Sequence, residues 1–214
     1  MDRQIKAKIQ AFFTKFPLKR YKKEEVLIDP NEELKGAFYL AKGFVREYTI
    51  SPQGDELTLH VFAPGSYFPM TWVINGIKNR YYYEALMTCE THIASKEKVL
   101  GFFEKEPSVI FELSKRLLQG IDKFLVRIEY FASGTAKIRV ISAVLFLARH
   151  FGVEKKNAIK LQYPFTHREI ASFAGVSRET ASREIERIRS QKLVEIRDHK
   201  LEIKNIDILK KQLL

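Results

Sequence analysis

Apolar and polar residues follow three successive patterns along the chain. From about Lys22 to Glu97 short alternating runs are separated by turns. Gly36-Ala-Phe-Tyr-Leu-Ala-Lys-Gly43 is followed by Phe44-Val-Arg-Glu-Tyr-Thr-Ile50, a Ser51-Pro-Gln-Gly54 turn, Glu56-Leu-Thr-Leu-His-Val-Phe62 and a Pro64-Gly65 turn; Tyr81 to Met87 and Thr91 to Ala94 continue the series. Period-two alternation places neighbouring side chains on opposite faces of a sheet, so this stretch predicts an all-β barrel, roll or sandwich. From Pro107 to about Phe131 the period changes. Ile110, Leu113, Leu117, Ile121, Phe124, Ile128 and Phe131 fall at three-or-four spacing, and Leu118 and Leu125 widen the stripe, which predicts one long amphipathic helix. Its length and the seven-residue interval of Ile110, Leu117, Phe124 and Phe131 favour a helix paired with a second copy over one packed on its own roll. Ala132-Ser-Gly-Thr135 interrupts the pattern as a hinge, and residues 136 to 151 begin another amphipathic helix.

The third pattern carries the most chemistry. Thr166 and Glu169 form a T-x-x-E capping box, ahead of an apolar stripe of Ile170, Phe173 and Ala174. Gly175 stands where a tight turn needs a positive φ, and Ser177 is a good N-cap for the helix after it. Val176, Thr180 and Ala181 are expected to face the partner helix, with Ile185 and Ile188 continuing the buried stripe. Two helices joined this way read as a helix-turn-helix, whose second helix enters the major groove with its N-terminal residues on the bases. Here those residues are Arg178, Glu179, Ser182 and Arg183. Lys192-Leu-Val-Glu-Ile-Arg197 and Lys200-Leu-Glu-Ile-Lys204 alternate like half-buried strands around a turn near Asp198-His199, forming a wing. The wing is expected to close the small domain's core, with Arg197, His199 or Lys200 within reach of phosphate.

Charge agrees with a nucleic-acid partner. Of 37 Lys and Arg against 26 Asp and Glu, residues 136–214 hold 17 against 9, a net of +8, while residues 1–135 are left with only +3. A basic domain beside a near-balanced one is the footprint of phosphate binding. One cysteine, Cys89, excludes a disulfide framework and a cysteine-ligated iron–sulfur cluster. The N-terminal segment with Phe12, Phe13 and Phe16 is charged and amphipathic, lacking the apolar run of a signal peptide, and no window reaches a membrane span. A cytoplasmic protein is expected, without a metal site or membrane partner.

A β-roll, a long dimer helix, a short hinge and a C-terminal winged helix-turn-helix together resemble the CRP/FNR superfamily of bacterial transcription regulators. The resemblance is sharpest over Thr166–Lys204. It is looser in the roll, through Lys42-Gly43-Phe-Val, Gly54-Asp-Glu-Leu and Pro64-Gly65-Ser-Tyr-Phe68. It implies an α+β chain: a roll sensor domain like a cyclic-nucleotide-binding jelly roll over residues 1–106, a dimerisation helix over 107–131, a hinge over 132–135, and a DNA-binding domain over 136–214. The dimer helix would use Ile110, Leu117, Ile121, Phe124, Ile128 and Phe131. Arg178, Glu179 and Arg183 match the base-contacting positions of the cAMP receptor protein, and Glu179, Ser182 and Arg183 those of the anaerobic regulator FNR; Thr166, Ser177 and Thr180 complete the expected DNA-contacting set. The resemblance implies a homodimer on double-stranded DNA, reading a palindrome with TGA-containing half-sites such as TGTGA or TTGAT, and contacting RNA polymerase if it activates.

The resemblance is weakest at the effector site. Cyclic-nucleotide members carry a Gly-Glu pair and an Arg-Ser/Thr-Ala phosphate clamp. This chain reads Tyr67-Phe-Pro-Met-Thr-Trp72 and Asn79-Arg-Tyr-Tyr-Tyr-Glu-Ala85, so bulky rings stand behind Arg80, and Asp122-Lys123 or Leu125-Val126 replace the Thr-Ser pair of the helix. An unidentified effector is expected, and not a cyclic nucleotide. Tyr67, Trp72, Arg80, Tyr81, Tyr82 and Tyr83 either line its pocket or fill the roll's core. No cofactor is expected, although His60, Cys89 and His92 are formal haem ligands, and a haem- or cyclic-nucleotide-responsive regulator is the alternative. A third case has no ligand. An enzyme of the cupin type would need clustered His and Glu ligands, yet His60 is alone on its strand, no His-x-His occurs, and no phosphate-binding Gly loop or nucleophile elbow is present. A sequence-neutral nucleic-acid binder would leave Arg178, Glu179 and Arg183 without a role.

Overall fold

The computed structural model describes residues 3–155, 158–197 and 200–213. The chain divides into two compact units, one of Met1–Thr49 with Thr58–Ile121 and one of Ile50–Leu57 with Asp122–Leu214.

The first unit opens with helix α1 (Arg3–Phe13), followed by strands β1 (Leu18–Tyr21), β2 (Val26–Ile28), β3 (Ala37–Lys42), β4 (Val45–Ile50), β5 (Glu56–Phe62) and β6 (Tyr67–Phe68). Helix α2 (Met70–Asn75), strands β7 (Tyr82–Ala85) and β8 (Cys89–Ala94), helix α3 (Lys96–Lys105) and the start of α4 (Pro107–Ser133) complete it. The strands form two four-stranded sheets, in the orders β1-β8-β3-β6 and β2-β7-β4-β5. Strands that are neighbours in sequence mostly fall in different sheets, as in a jelly roll. The expected strands are present. Helices α2 and α3 were not read from the pattern, although Ser95 caps α3 and Val99 and Phe103 bury its inner face.

Strand β3 explains where the core sits. Ala37, Phe38, Tyr39 and Leu40 are all buried, because the strand has packing on both faces. Phe38 and Leu40 join Tyr21, Ile28, Val45, Phe68, Tyr83 and Cys89 in a cluster drawn from both sheets. Ala37 and Tyr39 turn the other way, into a cluster with Ile9 and Phe13 of α1, Val99 and Phe103 of α3, and Val109 of α4. Phe13 stacks on Tyr39 at 5.1 Å between ring centres, and Phe12 on Phe102 at 4.2 Å.

Helix α4 has 27 residues, about 40 Å at the usual rise. It continues to Ser133, beyond the expected end at Phe131, and Thr135 already caps α5 (Ala136–Phe151) by accepting from the Ile138 amide. Only Gly134 and the cap residue Thr135 separate the two helices. The second unit then continues with β9 (Gly152–Lys155), β10 (Ala158–Leu161), α6 (His167–Ala174), α7 (Arg178–Ser190), β11 (Val194–Arg197), β12 (Lys200–Ile203) and α8 (Ile206–Lys211). The wing is larger than the expected hairpin: β11 and β12 belong to a four-stranded sheet in the order β11-β12-β10-β9. It buries Val194, Leu201 and Ile203 and so closes the small core as expected. Its turn at Asp198-His199, and with it the expected phosphate contact of His199, lies outside the described residues. No helix among the described residues is long and apolar enough to cross a membrane.

Candidate nucleic-acid interface

Two short helices set the geometry of the interface. Thr166 Oγ1 accepts from the Glu169 amide at 3.2 Å, while Glu169 Oε2 accepts from the Thr166 amide at 2.7 Å, so the capping box read in the sequence is closed. The Tyr163 hydroxyl donates to the other Glu169 oxygen at 2.9 Å and fixes that carboxylate. Gly175 ends α6 at φ 60°. It is also confined: a Cβ there would come within 2.4 Å of Phe131 Cε1, so the position needs glycine for room as well as for its backbone angle. Ser177 caps α7 by accepting from the Thr180 amide at 3.2 Å, and its hydroxyl donates to Thr180 Oγ1 at 3.0 Å.

Burial then separates the two faces of α7. Ala181, Ile185 and Ile188 are buried against the domain, and Val176 and Thr180 are half-buried beside them. Arg178, Glu179 and Arg183 are exposed, with Ser182 half-exposed among them; positions 178, 179, 182 and 183 share the opposite face. Charge pairing sharpens the contrast. In the rear half of α7, Glu186 holds Arg189 at 3.1 Å and Glu184 faces Arg187 at 3.8 Å. At the front, the Arg178 and Glu179 side chains make no ion pair or hydrogen bond with any described residue, and the Arg183 side chain touches Thr180 Oγ1 at 3.4 Å. The charges at the front of α7 are thus uncommitted, on a helix held by two caps. On the wing, Arg197 is bound to Glu195 at 2.7 Å, and Lys204 bridges Glu195 and Glu202.

The residues expected around an effector do not come together in one place. Tyr67 is buried in the helix-facing cluster, and Trp72 packs partly against it. Tyr83 is buried in the cluster between the sheets, with Tyr81 partly packed there. Tyr82 points to the other face of β7, stacked on Tyr48 at 5.2 Å, with Arg46 over Tyr48 at 4.2 Å. Arg80 is exposed, its guanidinium 6.0 Å from the Tyr81 ring. Alternation along β7 causes the split, since consecutive tyrosines must take opposite faces. Of the two readings, core filling describes Tyr67 and Tyr83. Of the haem candidates, the Cys89 thiol is buried, donates to the Phe44 and Met87 carbonyls and is pushed up by burial to about 11, while His92 Nδ1 is bonded to the Phe16 carbonyl at 2.7 Å.

Three charged residues of the roll, withdrawn from solvent, escaped the sequence reading. Arg46 and Glu84 stand opposite each other on β4 and β7 and form a two-pronged pair, 3.0 and 3.1 Å, with both side chains nearly inaccessible. Glu47 accepts from the Tyr83 hydroxyl at 2.9 Å, and burial raises its carboxyl above the ordinary value. A carboxyl raised on folding keeps its proton longer in the folded state. Its contribution to stability is full below the unfolded value and is lost as pH rises through the raised folded value. Glu47→Gln keeps an acceptor for Tyr83 and removes the charge. It should therefore raise the thermal midpoint at about pH 8 and change it little near pH 4. A lower midpoint at the alkaline end would show that the charged form is the stabilising one.

The comparisons with known proteins agree with this geometry. Residues 18–106 match the family model described as a cyclic nucleotide-binding domain, and residues 138–212 that of a Crp-like helix-turn-helix domain; between them they take in well over half of the chain. The global nitrogen regulator of a Nostoc species is 24% identical over 189 residues, covering 86% of this chain and 83% of the relative. A CRP/FNR-family transcriptional regulator of Thermus thermophilus, 23% identical, has a TM-score of 0.73 over 92% of this chain and 98% of its own. A mutant of CooA from Carboxydothermus hydrogenoformans, 21% identical, reaches 0.79 over 95% and 90%. The first two of these are named as regulators. With a jelly roll, a long helix and a capped helix-turn-helix joined in this order, the chain belongs to the CRP/FNR superfamily of transcription regulators.

Proposed function

We propose that this regulator binds, as a homodimer, a palindromic DNA site with TGA-containing half-sites, and that its roll answers to a small molecule other than a cyclic nucleotide. The observation that carries the DNA reading is the uncommitted front of α7. An arginine fork can take guanine O6 and N7, and a glutamate can accept from cytosine N4. Arg178, Arg183 and Glu179 are free to do both. The test is a titration of the purified chain with a TGA palindrome and with random duplex at equal salt. At least roughly 10³-fold tighter binding to the palindrome is expected; equal affinities would refute sequence reading.

Homodimerisation is supported by the face of α4 that its own chain leaves open. Leu117, Leu118 and Leu125 are 60% exposed or more, and Ile121, Phe124 and Ile128 about half, an apolar stripe too long for a monomer's surface. Phe111 is exposed as well, whereas Ile110 packs inward against the roll and Phe131 lies against Gly175, so the stripe's two ends depart from the expected seam. Charging the seam with Leu117→Glu and Phe124→Glu together should convert the dimer to monomer in sedimentation or native mass measurements. A variant that still sediments as a dimer would remove α4 as the interface.

The effector reading rests on the filled roll. The run Tyr67–Trp72 holds no Gly-Glu pair, Arg80 lies outside the core, and the Tyr83 ring occupies the interior with Phe62 and Phe68. A cytoplasmic location follows from the proposed target, chromosomal DNA.

A further inference from the structure

The turn between α6 and α7 is held from outside by three groups. Arg127 of α4 donates from Nη2 to the Phe173 carbonyl at 2.9 Å. Arg139 of α5 donates from Nη1 to the Gly175 carbonyl at 3.2 Å. The Phe131 ring lies against Gly175 so closely that no side chain would fit there, and the Arg127 guanidinium covers that ring at 5.1 Å. Both carbonyls belong to the C-terminal end of α6, where acceptors lack partners within the helix and the helix dipole favours a cation. Arg127 is retained at a cost: burial pushes its guanidinium down to about 10, still protonated at neutral pH, so a charge is kept in a poorly hydrated place. Simple packing of a small domain does not call for that. An apolar side chain on α4 would do as well.

We infer that Arg127, supported by Phe131 and Arg139, is a positioning residue that ties the reading helix to the dimer seam and thereby fixes which half-site spacing the dimer accepts. Phe124, Leu125 and Ile128 of the open face lie on the same continuous helix as Arg127 and Phe131, within about two turns. A rotation or shift of the seam is therefore passed to α6 and α7 through side-chain contacts, and not only through the two-residue link Gly134-Thr135. A two-fold dimer places its reading helices about one helical turn of DNA apart. With the tie intact that distance is set by the protein. With it cut, the helix pair can swing about Gly134 and follow half-sites moved nearer or further.

The inference rests on the proposed palindrome reading, and the experiment separates the two. Wild type, Arg127→Met and Arg127→Lys are titrated against duplexes whose two TGA half-sites are spaced at the optimum and one or two base pairs either side. Wild type is expected to lose about tenfold or more per base pair of displacement, comparable to a mismatched base pair. Arg127→Met should lose at most a third as much, while its penalty for a wrong base opposite Glu179 stays as in wild type. Arg127→Lys, which retains one donor for the Phe173 carbonyl, should recover part of the wild-type spacing dependence. If Arg127→Met does not fold, Phe131→Leu is read in the same way. A variant with lowered stability but an unchanged spacing profile makes Arg127 a structural residue and overturns the inference alone. A wild type indifferent to spacing and sequence overturns both readings.

Discussion

Arg183→Ala should weaken binding to the palindrome by roughly 30-fold to 10⁴-fold, at one base contact of about 1–3 kcal/mol in each half-site and two half-sites per dimer. The same variant should bind random duplex within a few-fold of wild type, since non-specific affinity comes from phosphate contacts spread over the basic domain. Glu179→Ala is the complementary case. It should relax preference at one base pair per half-site and leave the slope of affinity against salt nearly unchanged, because a carboxylate displaces no counterion. The prediction depends on Arg183 being exposed and Glu179 unpaired at the front of a doubly capped helix pair. If Arg183→Ala weakens every sequence alike, Arg183 is a phosphate contact and the base reading must move to Arg178 and Ser182.

Gly175→Ala should destabilise the DNA-binding unit by about 2–5 kcal/mol. A left-handed backbone costs a residue with Cβ about 1–2 kcal/mol, and forcing a methyl into filled space about 1–3 kcal/mol more. The second contribution exists because Phe131 Cε1 already stands 2.4 Å from the Cβ position. Chemical denaturation followed by a probe in the second unit measures the total. Combining Gly175→Ala with Phe131→Ala should recover the steric part only, leaving the backbone part; full recovery would mean that the positive φ carries no cost.

Legibility in the sequence followed the range of the interactions concerned. The helix-turn-helix could be read almost residue by residue, because its signals are local: Thr166 and Glu169 are three residues apart, and Gly175 and Ser177 mark the turn themselves. The roll was legible as strands with turns but not as a pattern of faces. Arg46 and Glu47 are adjacent on one strand and take opposite faces, yet both are withdrawn from water by partners 38 and 36 residues away. Helix α3 was passed over although its cap and its Val99–Phe103 spacing were present, because the preceding strand pattern masked where it ended. Strands β9 and β10 carry four residues each and offer too short a run for a period to emerge.

For this protein the sequence by itself determined the order of roll, long helix and helix-turn-helix, the side chains proposed to read bases, and the seven-residue repeat of a helix with an open apolar face. Period, capping and turn chemistry are written in residues a few places apart, and no distant neighbour is needed to express them. Only the tertiary structure decided that the tyrosines of β7 divide between core and surface, that Phe131 closes on Gly175 instead of extending the apolar stripe, and that Arg127 reaches the Phe173 carbonyl 46 residues further along. Such contacts depend on which elements pack together. A burial pattern compatible with several partners becomes specific only when one of them fills the space.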